Sequence, residues 1–158
     1  MDDEFGFDES PPPLESRLGA IELAPPFNPA AYFFVGFFLG FVPMGYLAVT
    51  NATRLSQGPE LRTKTLGAAV AIAVIGFAII ALSPATWVAD NSDARLLIQI
   101  IGAVGSVGLH QLHRGPALSR AIGNRDYTSA WKRIVPLVLI ALLQAAVAFL
   151  IVSARGLR

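Results

Sequence analysis

Between Leu66 and Leu82 the chain reads LGAAVAIAVIGFAIIAL, seventeen residues without a charged or amide side chain. An α-helix of that length rises about 26 Å, close to the roughly 30 Å of a bilayer's hydrocarbon core. A helix of a soluble bundle keeps a polar face toward water, and this stretch has none. The apolar residues do not alternate, and Ala and Leu are prominent, so a strand is not indicated. The segment reads as a membrane-spanning helix stopped by Ser83-Pro84.

Three further stretches have the same character. Ala30 to Val49 carries no charge, and Asn28-Pro29 before it reads as a helix cap followed by a first-turn proline. Leu96 to Leu112 is more polar, with Gln99, His110 and Gln111, and reads as capped by Asn91-Ser92-Asp93 and ended by Gly115-Pro116. Ile134 to Val152 has Gln144 as its one strongly polar side chain. Pro43 and Pro136 predict kinks, or first-turn positions, in the first and last of these helices. The fold expected is therefore all-α: a four-helix transmembrane bundle over residues 29–154, with helices at about 30–50, 66–83, 95–112 and 133–153.

The whole composition agrees. Of 158 residues, 54% are hydrophobic and 15% charged, against roughly 25% charged in an average soluble domain. Residues 1–28 hold seven of the eleven acids and one base, Arg17. With Pro11, Pro12 and Pro13 they read as a disordered acidic tail, in which Leu14–Leu23 has the spacing of a short amphipathic helix. The start, Met-Asp-Asp-Glu, lacks the basic opening of a secretory signal. The absence of cysteine excludes a disulfide scaffold, thiolate-bound metals and a thiol nucleophile.

Bases in short loops set orientation. With four crossings, Arg54, Arg62, Lys64, Arg114, Arg120, Arg125, Lys132 and Arg133 share one side, eight bases against four on the other. That predicts a multi-pass protein of the cell membrane, of bacterial inner-membrane type, with the basic loops cytoplasmic and both termini outside. Trp87 then falls at the outer interface, and Tyr127 and Trp131 at the inner one. A short interfacial helix over Pro116–Ile122, closed by Gly123, is expected between the last two spans.

No Asp, Glu, Lys or Arg interrupts any of the four stretches. Intramembrane charges mark proton relays and ion paths, so an ion-coupled pump and a paired-aspartate protease are both disfavoured. No GxSxG, HExxH or P-loop pattern occurs. No catalytic, cofactor-binding or metal-binding residues are assigned, and no cofactor is expected. His110 and His113 share a helix face beside Arg114; a half metal site is one reading, and contact with lipid headgroups is the plainer one. Gln99 and Gln144 read as interhelical hydrogen-bonding groups. Gly36, Gly40, Gly102 and Ser106 read as small-residue packing positions, with Phe34, Phe37, Phe38 and Phe41 on the opposite face of the first span. The expected partners are the lipid bilayer and either a partner membrane protein or further copies of the chain. The scattered bases do not suggest nucleic acid.

Asn51-Ala52-Thr53-Arg54-Leu55 with Gly58 follows the first apolar stretch, and Asn124-Arg125-Asp126 to Trp131-Lys132 precedes the last. In this layout residues 28–152 resemble small bacterial four-span membrane proteins of no assigned function. The resemblance implies a membrane bundle and no catalytic residues. The functional reading from sequence is a non-enzymatic accessory or scaffolding membrane subunit. Two alternatives stay open: a small oligomeric transporter or channel, and a lipid-interacting enzyme at the cytoplasmic face.

Overall fold

The computed structural model describes residues 25–55, 59–84, 91–122 and 127–156. Residues 1–24 of the acidic tail, with the Leu14–Leu23 helix, and Trp87 and Gly123 lie outside the described residues. Among these described residues five α-helices follow in order: α1 (Ala31–Leu39), α2 (Phe41–Leu55), α3 (Pro59–Leu82), α4 (Asn91–Ile122) and α5 (Ile134–Gly156). A one-turn 3-10 helix at Ala130–Arg133 leads into α5.

The expected first span is not one helix. It is two, α1 of nine residues and α2 of fifteen, joined at Gly40. Gly40 has φ +102°, in the left-handed region that side chains other than glycine avoid. Its N–H still closes onto the Val35 and Gly36 carbonyls at 3.1 Å, and the chain then turns back. The reversal is fixed by one contact: Asn51 Nδ2 donates to the Tyr32 hydroxyl at 2.6 Å, nineteen residues away in sequence. A continuous helix would hold those residues about 28 Å apart. At 1.5 Å per residue α1 is about 14 Å long and α2 about 22 Å, so neither spans roughly 30 Å alone. Pro43 does not kink a span. It lies in the first turn of α2, where its missing N–H has no helical acceptor to lose.

Asn28 does not cap α1, whose N-cap is Ala30; it holds the turn before that helix. Its Oδ1 accepts from the Ala30 N–H at 2.9 Å, and three i→i+3 bonds from Ala31, Tyr32 and Phe33 form a tight turn before α1.

Three helical stretches are long and apolar enough to cross a membrane: Pro59–Leu82, Asp93–Leu118 and Ala130–Ala154. α3 ends at Leu82 as predicted, with Ser83 N–H and Oγ both donating to the Ile79 carbonyl, at 2.9 and 2.7 Å. α4 differs from expectation. It does not end at Gly115-Pro116 but carries Pro116 inside and runs on to Ile122. The expected Pro116–Ile122 interfacial helix is its continuation.

The hairpin forms the core and the long helices form its sheath. Phe41, Met44, Leu47, Ala48 and Ala52 of α2 are essentially inaccessible, together with Tyr32 of α1, Leu109 of α4 and Leu137 of α5. The long helices turn their apolar residues outward: within the molecule only 17% of the apolar window of α3 or α5 is buried, and 28% of that of α4. An apolar exterior of this size is compatible with a hydrocarbon environment. Among the described residues the protein is all-helical, with three membrane-capable helices.

Backbones approach closely where the small residues lie. Gly36 and Gly102 touch, such that a Cβ on Gly102 would strike the Gly36 carbonyl, and this contact seats α1 on α4. Phe41 packs its ring over Gly76, within 2.8–2.9 Å of where a Cβ would stand, and meets Phe77 edge-on at 5.2 Å. The predicted phenylalanine stripe is therefore divided at Gly40. Phe34 and Phe38 face outward while Phe41 is buried.

Candidate functional site

Four buried polar residues, one from each of α1 to α4, form a continuous chain. Tyr32 Oη lies 2.6 Å from His113 Nδ1, and His113 Nε2 lies 2.8 Å from Thr65 Oγ1. Asn51 completes the row through its 2.6 Å bond to Tyr32. Asn51, Thr65, His113 and Tyr32 are all 0% exposed.

Counting hydrogens fixes the direction of the chain. The Thr65 hydroxyl donates its single hydrogen to the Leu61 carbonyl at 2.7 Å, so toward His113 it accepts. His113 therefore donates from Nε2, and its Nδ1 accepts from Tyr32. Tyr32 in turn accepts from Asn51. The imidazole is neutral, with both nitrogens occupied. Asn51 spends its remaining capacity on Phe27, accepting from the N–H at 2.7 Å and donating to the carbonyl at 3.0 Å. Among the described residues no buried side-chain nitrogen or oxygen lacks a partner. A network satisfied in this way holds four helices in register, and neither imidazole nitrogen has a lone pair left for a metal or a substrate.

The second polar anchor sits at the hairpin tip. Gln144 of α5 is buried, and its Oε1 accepts from the Val42 N–H at 2.9 Å. Val42 is in the first turn of α2, whose N–H groups have no helical acceptor. A Cβ on Gly40 would strike the same amide, at Nε2. Gln144 thus caps α2 from outside it.

Near the base of the hairpin several segments converge. Phe27 pairs with Thr128 in a single parallel bridge, and Thr128 N–H donates to the Pro26 carbonyl at 2.8 Å. Arg54 donates to the Pro25 carbonyl at 2.9 Å and lies 4.3 Å from the Phe27 ring centroid, a cation–π geometry. Partial burial, and then the nearby Arg133, lower its guanidinium from the ordinary range. The segment before α1, the end of α2 and the start of α5 therefore share one end of the molecule.

The residues singled out from sequence divide as follows. Gly36 and Gly102 do meet as packing positions, whereas Gly40 is the turn. Ser106 is buried, its hydroxyl donating to the Ala103 carbonyl of its own helix at 2.6 Å. Gln99 is half-buried and faces the same cavity as Gln144, a space of about 430 Å³ reaching the hairpin tip. His113 is wholly inside, out of reach of any headgroup. His110 is half-buried and Arg114 exposed. Sequence reasoning missed Tyr32, Asn51 and Thr65. Their one signal was being isolated polar residues within or beside apolar stretches.

Searches against protein-family models, curated proteins and solved structures find no match to the chain.

Proposed function

We propose that this is a non-enzymatic accessory or scaffolding subunit of a cell membrane, held by a re-entrant hairpin that enters from the cytoplasmic face. The observation that carries the reading is Gln144 on the N-terminus of α2. In transporters with discontinuous helices, the exposed N–H groups of the broken helix receive the substrate. Here that position is filled by an amide of the protein itself, and the polar chain below it is likewise closed. These are the features of a frame.

The orientation follows from the hairpin. With the hairpin entering and leaving on one side, three helices cross. Arg17 then joins the basic loops, making nine bases on that side against Arg95, Arg155 and Arg158 on the other, a sharper bias than four crossings give. The N-terminus is then cytoplasmic and the C-terminus outside. Reporters fused to each terminus test this: opposite sides are expected, and two termini on the same side overturn it. For the scaffold role, mild solubilisation from the native membrane is expected to retain a partner membrane protein or further copies of the chain. A lone monomer overturns it.

One observation favours a transporter reading, namely that Gln99 and Gln144 line the same cavity beside Arg95. Flux of small solutes through reconstituted protein, lost in Gln99→Leu, is what that reading requires.

A further inference from the structure

A groove of about 650 Å³ runs between α1 and the start of α5. Its depth is lined by Phe38, Leu39 and Leu137, its mouth by Asn28, Ser129 and Trp131. α1 forms one wall and is about 14 Å long, close to the depth of one leaflet of a ~30 Å core. At the ~30 Å³ that a water-sized group occupies in a liquid, the volume holds about twenty such groups, the size of one long acyl chain. The mouth carries the marks of a headgroup level. Trp131 is 76% exposed there, as aromatic residues are at a membrane interface. Lys132 and Arg133 follow it directly, and neither is paired with a carboxylate among the described residues. Arg54, beside Arg133, adds a third positive charge but is already bound to the Pro25 carbonyl.

We propose that this groove binds one acyl chain of an anionic phospholipid of the basic-side leaflet, its phosphate held by Lys132 and Arg133. An apolar groove with two bases on the one-turn helix that borders it matches that amphiphile. The site needs the membrane setting but not the scaffold role, so loss of one leaves the other standing.

Trp131 is a built-in reporter. The full chain carrying Trp87→Phe is reconstituted in phosphatidylcholine vesicles containing a small fraction of phosphatidylglycerol, with dibrominated acyl chains on one lipid or the other. Brominated phosphatidylglycerol is expected to quench Trp131 far out of proportion to its share of the bilayer. Lys132→Gln with Arg133→Gln should weaken that preference about thirty-fold. Ala30→Phe, which keeps both charges and fills the groove, should remove the chain-specific quenching. Equal quenching by the two lipids, or a preference that survives both variants, overturns the proposal.

Discussion

Replacing Asn51 with alanine should unfasten the hairpin. The change removes three hydrogen bonds from a fully inaccessible site: those with the Phe27 N–H, the Phe27 carbonyl and the Tyr32 hydroxyl, at 2.7, 3.0 and 2.6 Å. Side-chain hydrogen bonds inside membrane proteins average about 0.6 kcal/mol, so the three contribute roughly 2 kcal/mol. Alanine also leaves the Phe27 N–H buried without an acceptor, which costs about 1–3 kcal/mol more. The expected loss is therefore about 3–5 kcal/mol, at least a hundredfold in the folded population. Reversible unfolding in mixed detergent micelles measures it. A distance measurement separates a lost hairpin from a merely weakened one. The chain has no cysteine, so spin labels at Ala30→Cys and Thr53→Cys, both exposed positions, report only that pair. A continuous helix would place them roughly 35 Å apart, whereas the hairpin brings them to the same end. A loss under about 0.5 kcal/mol, or a distance near 35 Å in the otherwise unaltered chain, refutes the reasoning.

Gly40→Ala forces a side chain into a left-handed backbone and against Gln144; a loss of about 2–4 kcal/mol is expected in the same unfolding assay. Gly67→Ala, which meets nothing within 4 Å, should be neutral or gain up to about 1 kcal/mol. Gly102→Ala must push α4 off the Gly36 carbonyl and should cost about 2 kcal/mol or more, while Gly108→Ala, facing open space, should not; equal effects would show that the Gly36–Gly102 contact does not exist. Gln144→Leu leaves the Val42 N–H without its acceptor and should lose about 1–3 kcal/mol, read as lower thermal stability in detergent.

Hydropathy carried the setting and the three long helices because burial in lipid is a property of composition over about twenty residues. It carried neither the direction of the chain nor the depth it reaches. Ala30–Val49 has the length and polarity of a span, and a hydropathy window cannot distinguish a helix that continues from two that fold back. The distinguishing marks were single residues. Gly40 reads as half of a small-residue motif until its φ is known, and Gly36 does serve that motif by meeting Gly102. Asn51 lies just beyond the uncharged run, so it looked like the start of a loop. The polar chain was hidden for a related reason: its members come from four helices, and only the histidine stood out. The spacing of His113 and His110 suggests a shared outward face, but the ring of His113 is enclosed between Tyr32 and Thr65, residues far from it in sequence.

The hairpin also explains the distribution of polarity among the helices. A helix ending inside hydrocarbon exposes N–H groups that no lipid can satisfy. The start of α2 at the hairpin tip therefore needs an acceptor from within the protein, and Gln144 is the only strongly polar side chain between Ile134 and Val152. The hairpin needs a second set of partners at the base, where the segment before α1 meets the end of α2, and Asn51 supplies an amide that matches the Phe27 backbone group for group. The long helices then have little polar work left, and α3 and α5 are free to present Ile75, Leu143 and Phe149 outward. What distinguished the sequence at first sight, long stretches without charge, follows from a design in which a few neutral amides and one neutral histidine satisfy the interior. Charging any of them would leave a buried ion without a partner, which costs several kcal/mol, so the same residues that close the hairpin also explain why, among the described residues, no Asp, Glu, Lys or Arg is buried.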